Sequence, residues 1–169
     1  MNTRGSEMSE RRLHVPLLLW LRVHRQLRHR SGDVRESGAF LLGTRGKGDV
    51  DLVRAFVCYD DLDPTCLAGG YVEFHSNGYA NLWETCRRLQ YEVLADVHTH
   101  PGKDSSQSET DRTHPMVSEV GYLAIILPEF AAGRIPQLAR MSIYEYEGNY
   151  SWRNWTGVNR SRRLRFTWW

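Results

Sequence analysis

An α/β or α+β fold built on a mixed β-sheet is what this 169-residue sequence predicts. Three observations point there. The segments alternate in the order helix, strands, helix, strands. Two of them carry apolar residues at helical spacing, and several short runs are apolar through their centres, as buried strands are. The length suits one domain, and 41% hydrophobic with 11% aromatic residues supplies one core.

Residues 1–12 are polar and expected to be frayed. Leu17, Trp20, Leu21, His24 and Leu27 share a face at helical spacing, and Pro16 suits a first turn, so residues 16–30 form an amphipathic helix ending near Ser31-Gly32. "ESGAFLLG" (36–43) is a buried strand, "TRGKG" a glycine-rich turn, and "DVDLVRAFVCY" (49–59) its antiparallel partner. After a loop, "YVEFH" is a short strand. "SNGYANLWETCRRLQ" is a helix whose apolar face is Tyr79, Leu82, Trp83, Cys86 and Leu89. "YEVLADVHTH" (91–100) is a strand with a buried apolar middle, ended by Pro101, which cannot donate to a ladder. A polar loop and a short helical turn at "SETDRTHP" follow. "GYLAIILP" (121–128), "RMSIYEYEG" (140–148) and the region of "YSWRNW" are the last strands. No repeat or second domain is visible. The core spans about 16–156, and 157–169 is a basic, aromatic tail.

Composition excludes some functions. A net charge of +2 is too small to imply nucleic-acid binding by itself. The three cysteines, Cys58, Cys66 and Cys86, are odd in number and lack CxxC spacing, which fits reduced thiols in a cytoplasmic protein. "VPLLLWLRV" (15–23) is shorter than the roughly 20 apolar residues a bilayer requires, and "HRQLRHR" after it is no cleavage site.

The chemistry concentrates in "ADVHTHPGKDSSQSETDRTHP" (95–115). His98 and His100, two apart on a strand, project from one face. Their imidazoles can converge on a metal, and a catalytic zinc takes three protein ligands and keeps a place for water. Asp111, returned by the loop that Pro101 and Gly102 begin, is the natural third ligand. Ser108, three residues before it, shares its face on a helical turn. Each piece alone has a plainer reading: His-x-His pairs are often structural, and Ser-x-x-Asp is often a capping box. The conjunction at fixed gaps is what carries weight. His114 is left as a surface histidine or one behind the ligands, and Thr99, on the opposite face, as packing.

"HTHPGKDSSQSETD" resembles the JAMM signature of the JAB1/MPN metalloproteases, His-x-His-Pro and six residues later Ser-x-x-Asp. "RESGAFLLG" adds Glu36 at the place where that family has a glutamate before a Gly-containing apolar run, so the likeness covers about 36–128. It implies an MPN, cytidine-deaminase-like three-layer α/β fold with a mixed central sheet flanked by helices. His98, His100 and Asp111 would then bind Zn2+, with water as fourth ligand. Glu36 would be the general base, and Ser108 would stabilise the oxyanion together with zinc. No covalent intermediate is required, so the cysteines are not needed.

By the same resemblance the substrate is a ubiquitin-like protein or its conjugates, cleaved at the Gly-Lys isopeptide or C-terminal peptide bond. The stand-alone format resembles bacterial members found with E1-like and E2-like enzymes in antiphage operons. No membrane partner is expected. Two other classes compete: a scaffold module that has lost the metal, and a DNA-repair-associated JAB domain, for which "RSRRLRF" (160–166) and "RRLHV" (11–15) would supply phosphate contacts. Trp168 and Trp169 either pack on the core or offer an aromatic patch.

Overall fold

The strand that carries His98 lies near the middle of an eight-stranded mixed sheet, in the order β7-β6-β5-β4-β2-β3-β1-β8. The computed structural model describes residues 11–133 and 140–168. The strands are β1 (Arg12–Pro16), β2 (Gly38–Arg45), β3 (Val50–Cys58), β4 (Glu92–Thr99), β5 (Leu123–Leu127), β6 (Ser142–Gly148), β7 (Ser151–Asn154) and β8 (Leu164–Thr167). The helices are α1 (Leu17–Ser31), α2 (Tyr59–Leu62), α3 (Ser76–Leu89), α4 (Glu109–Thr113) and α5 (Arg160–Arg163). Pairing of β4 with β5, and of β1 with β3 and β8, is parallel; the other ladders are antiparallel.

The sheet separates two apolar layers, as period-2 strands buried on both faces must. On one face Trp20, Val23 and Leu27 of α1 pack against Ala39, Leu41, Ala95, Val97 and Ile125. On the other, Leu82 and Cys86 of α3 pack against Phe40, Leu42, Tyr59 and Tyr122. Asp96, His98 and His100 alternate with Ala95 and Val97, so they face the α3 side. Gly32 ends α1 at φ 55, its N–H bonded to the Arg28 carbonyl.

The expected α/β architecture and both amphipathic helices are present, with differences that have physical causes. Val23 rather than Leu21 completes the buried stripe of α1. Trp83 and Leu89 are exposed on α3, and Gly78 is buried, packed beneath Phe74. "YVEFH" forms no strand.

The two ends belong to the sheet. Arg12 opens β1 instead of fraying, while residues 1–10 lie outside the described residues. The expected tail folds back as α5 and β8, which pairs with β1 from Leu13↔Leu164 to Pro16↔Thr167. Arg163 is buried, with Nη2 2.8 Å from Glu145 Oε1. Arg162 lies over the Trp155 ring, 5.2 Å from its centroid. Part of the basic run proposed for phosphate contacts is thus engaged within the fold. Trp168 is 83% exposed, and Trp169 lies outside the described residues. No helix among the described residues is long and apolar enough to cross a membrane.

Candidate metal centre

β4 delivers two imidazoles to one point, and a loop returns a carboxylate to them. One ligand atom from each of His98, His100 and Asp111 lies within 4.8 Å of the others. His100 Nε2 is 3.2 Å from Asp111 Oδ2, and His98 Nε2 is 3.4 Å from Asp111 Oδ1. Beyond this 3.4 Å contact the buried His98 Nε2 has no hydrogen-bond partner among the described residues.

The main chain around His100 is tied down. Its N–H donates to the Leu127 carbonyl at 2.8 Å, and its carbonyl accepts from Phe130 N–H at 2.9 Å. Phe130 belongs to a 3-10 turn, Glu129–Ala131, whose three non-glycine residues all have positive φ. Such conformations cost about 1–3 kcal/mol each and persist only where the surroundings fix them. α1 does so here, through Ser31 Oγ to the Phe130 carbonyl and Arg28 to the Ala132 carbonyl.

Asp111 is aimed by a capping box. Its N–H donates to Ser108 Oγ at 3.1 Å, and its Oδ2 accepts from Ser108 N–H at 2.7 Å. α4 is further held from β7, where Trp152 Nε1 donates to the Arg112 carbonyl.

Glu36 comes from the segment before β2. The β2·β4 pairing reaches Gly38↔His98, so one more pair sets Ser37 beside Thr99 and brings Glu36 opposite His100. Ser37 N–H donates to Thr99 Oγ1 at 3.0 Å, and Thr99 N–H to the Ser37 carbonyl at 2.9 Å. Ser37 Oγ donates to the Leu27 carbonyl of α1 at 2.8 Å. Thr99 does face away from the metal group, as expected, but it also pins the residue next to Glu36.

The electrostatics follow from burial and closeness. Desolvation raises the Glu36 pKa, His98 and His100 oppose it, and Asp111 adds to it. Burial would lower the His98 pKa, but the Asp111 and Asp96 carboxylates outweigh that and bring it up to about 10. Burial would raise Asp111, yet His100 and His98 hold it well below the usual carboxylate range.

Glu36, His98 and Asp111 line a cleft of about 630 Å³ that also takes in Ser108, Tyr71, Phe74, Met116 and Trp152, and His100 adjoins it through the metal group. All five residues singled out in the sequence therefore meet in one place: Glu36, His98, His100, Ser108 and Asp111. His114 is exposed at the rim, its Nδ1 2.9 Å from the Thr113 hydroxyl, outside the metal group.

Sequence reasoning missed one contributor, Asp96. Asp96 is 1% exposed, and its Oδ2 accepts from Tyr59 hydroxyl at 2.9 Å and from His98 Nδ1 at 3.1 Å. The signal was a lone acid inside an apolar strand. The donor set fits a divalent ion of intermediate softness: two imidazole nitrogens, one carboxylate oxygen, and an orphaned buried Nε2 turned to the group.

Residues 18–142 match a family model described as prokaryotic homologs of the JAB domain. Among solved structures, the chain is similar to a solution structure of a protein from Desulfitobacterium hafniense, with a TM-score of 0.62, 17% identity and 92% of each chain covered. It is also similar to one from Salinibacter ruber, with a TM-score of 0.51, 16% identity, and 83% of this chain and 86% of that one covered.

Proposed function

The chain belongs to the prokaryotic JAB-domain family, and from that premise we propose that it is a zinc-dependent isopeptidase or protease acting on a ubiquitin-like modifier. The observation that carries the reading is the convergence of His98, His100 and Asp111 beside a desolvated Glu36.

His98, His100 and Asp111 would hold the metal. Zinc there supplies Lewis acidity and brings the pKa of water toward neutrality. Glu36, whose own pKa burial raises, accepts a proton from the attacking water and delivers it to the departing amine. Ser108 Oγ already accepts from Asp111 N–H, so its own hydrogen is free to point at the oxyanion of the scissile carbonyl. The segment 71–75 pairs with no strand of the sheet and lines the cleft with Tyr71, Val72, Glu73 and Phe74. An extended C-terminal tail can add along such an edge. We place the reaction in the cytoplasm of a bacterial ubiquitin-like conjugation system of the antiphage-defence kind, with E1-like and E2-like enzymes as companions. The family's stand-alone members support that setting.

The test is zinc content of the purified protein together with cleavage of a ubiquitin-like fusion bearing a short C-terminal extension. About one zinc per chain, as three convergent ligands imply, and chelator-sensitive cleavage are expected. Glu36→Ala abolishes turnover and keeps the metal, whereas His100→Ala loses both. Equal turnover in Glu36→Ala and wild type refutes the general-base role. Absence of both zinc and cleavage after zinc is added refutes the enzyme.

A further inference from the structure

We propose that Asp96 is a positioning residue for the metal centre, fixing through its bond to His98 Nδ1 which nitrogen of His98 is turned to the metal. The inference rests on the reading of His98, His100 and Asp111 as ligands.

A carboxylate in the middle of a central strand needs a reason, because burial penalises its charge. Asp96 is 1% exposed and lies between Ala95 and Val97, both fully buried. It precedes His98 by two residues on β4, so the two side chains share a face. Its Oδ2 accepts from His98 Nδ1 at 3.1 Å. A carboxylate offers only acceptors, so His98 must present an N–H at Nδ1. In the neutral ring the lone pair is then left at Nε2, the atom that is buried, without a hydrogen-bond partner, and close to Asp111. A hydrogen bond of this kind orients a metal-bound imidazole and raises its basicity.

The same oxygen is itself held in place. Tyr59 hydroxyl donates to it at 2.9 Å. Burial and Asp96 push the Tyr59 pKa well above its ordinary value, so the donor keeps its proton. The ring reaches Asp96 by crossing directly over Gly38, where a Cβ would fall 2.1 Å from Tyr59 Cε2. Gly38 is the residue paired with His98 across β2·β4. The buried Tyr122 hydroxyl lies beside the carboxylate as well. A chain runs inward from the cleft: His98, Asp96, Tyr59, and the space over Gly38. The competing explanation is that Asp96 only ties Tyr59 into the core. A purely structural acid of that kind would leave metal affinity and the His98 proton unchanged.

The experiment measures zinc affinity of the full chain against a chromophoric chelator, and records long-range proton–nitrogen spectra of the histidines in the zinc-loaded protein. Asp96→Asn keeps the size of the side chain and removes its charge. It is expected to weaken zinc binding about 10- to 100-fold, the range for losing a ligand's supporting partner. In wild type the His98 Nδ1 proton is retained and exchanges slowly; in Asp96→Asn it exchanges fast or is lost. Tyr59→Phe removes one donor to the same oxygen and is expected to weaken zinc binding by only about 2- to 5-fold, a fraction of the loss from removing the Asp96 charge. Should Asp96→Asn fail to fold, Tyr59→Phe decides: a loss in that range supports the inference, and none overturns it. Unchanged affinity and an unchanged Nδ1 proton in folded Asp96→Asn overturn the role of Asp96 while leaving the metal site standing. A wild-type protein that binds no zinc overturns both readings.

Discussion

Replacing Thr99 by Val keeps the shape of the side chain and deletes one oxygen, and that oxygen has a definite task. Thr99 and Ser37 are both 0% exposed. Thr99 Oγ1 accepts the Ser37 N–H at 3.0 Å, in the gap where the β2·β4 ladder gives out. The valine methyl cannot accept it, and no water reaches the site. An orphaned buried donor costs about 1–3 kcal/mol. At roughly 2–4 °C per kcal/mol for a chain of this size, Tm falls by about 2–12 °C. Ser37→Ala loses the donor to the Leu27 carbonyl, which lies within α1, and a long 3.4 Å contact with Thr99 Oγ1, so its cost is about 1 kcal/mol, that of an ordinary hydrogen bond. Urea unfolding of the three proteins separates these values. Because Ser37 adjoins Glu36, Thr99→Val should also lower turnover of the fusion substrate by about 10- to 100-fold, as a small misplacement of a reacting group does. Zinc content should hold, since the His98 and His100 side chains are untouched. A Thr99→Val protein within 0.5 kcal/mol of wild type, a margin about half the smallest cost expected, would refute the argument.

Leu82→Ala on α3, fully buried in the layer beneath the cleft, should cost about 2–5 kcal/mol in the same assay, whereas Trp83→Ala, at 49% exposure, should cost under about 1; the reverse order would contradict the face assigned to the helix. Asp63 gives a pH signature: burial would raise its pKa, but hydrogen bonds from His75 and Thr65 bring it down to about 2 from an ordinary 3.8. A depressed carboxyl pKa stabilises the fold fully above the unfolded value and loses that contribution as pH falls through the folded one. The stability gap between wild type and Asp63→Ala should therefore shrink from about pH 4 to about pH 2; a gap constant over that range would refute it. Burial pushes the Cys58 and Cys66 thiols up to about 12 and raises Cys86 as well. A thiol-directed alkylating agent should leave the native protein unlabelled and fully active, and inhibition by it would point to a thiol mechanism.

Most of the central architecture was legible because its signals are local. A strand such as Leu123–Leu127 is apolar at every position, and α1 and α3 carry their apolar residues at helical spacing, so neither needs a distant partner to be recognised. β1 and β8 were not legible. Leu13 and Val15 are buried, but their neighbours Arg12 and His14 are charged or polar, and while β1 also pairs with β3, β8 joins the sheet through its parallel pairing with β1. That pairing joins residues about as far apart as the chain allows, and no local pattern announces it. The charge of "RSRRLRF" pointed outward for the same reason: Arg163 of α5 pairs with Glu145 on β6 and donates to the Arg11 carbonyl. "YVEFH" has the composition of a strand, but it takes no place in the eight-stranded sheet.

At the centre itself, two readings of Ser-x-x-Asp that look like alternatives in the sequence are the same set of bonds in the fold. A five-residue helix such as α4 is far too short to persist by propensity. The reciprocal bonds between Ser108 and Asp111 and the Trp152–Arg112 bond hold it. Those same bonds aim Asp111: Oδ2, which accepts from Ser108 N–H, lies 3.2 Å from His100 Nε2, and Oδ1 lies 3.4 Å from His98 Nε2. The cap is thus the means by which a short turn well beyond the end of β4 returns a carboxylate to a fixed point. A metal bound there would draw Asp111 and the two histidines together, and in doing so would stabilise the capped turn, because whatever binds only the folded arrangement stabilises it. Helix end and ligand set would then be strengthened by one event, and the spacing that marks the motif in the sequence is the spacing both of them require.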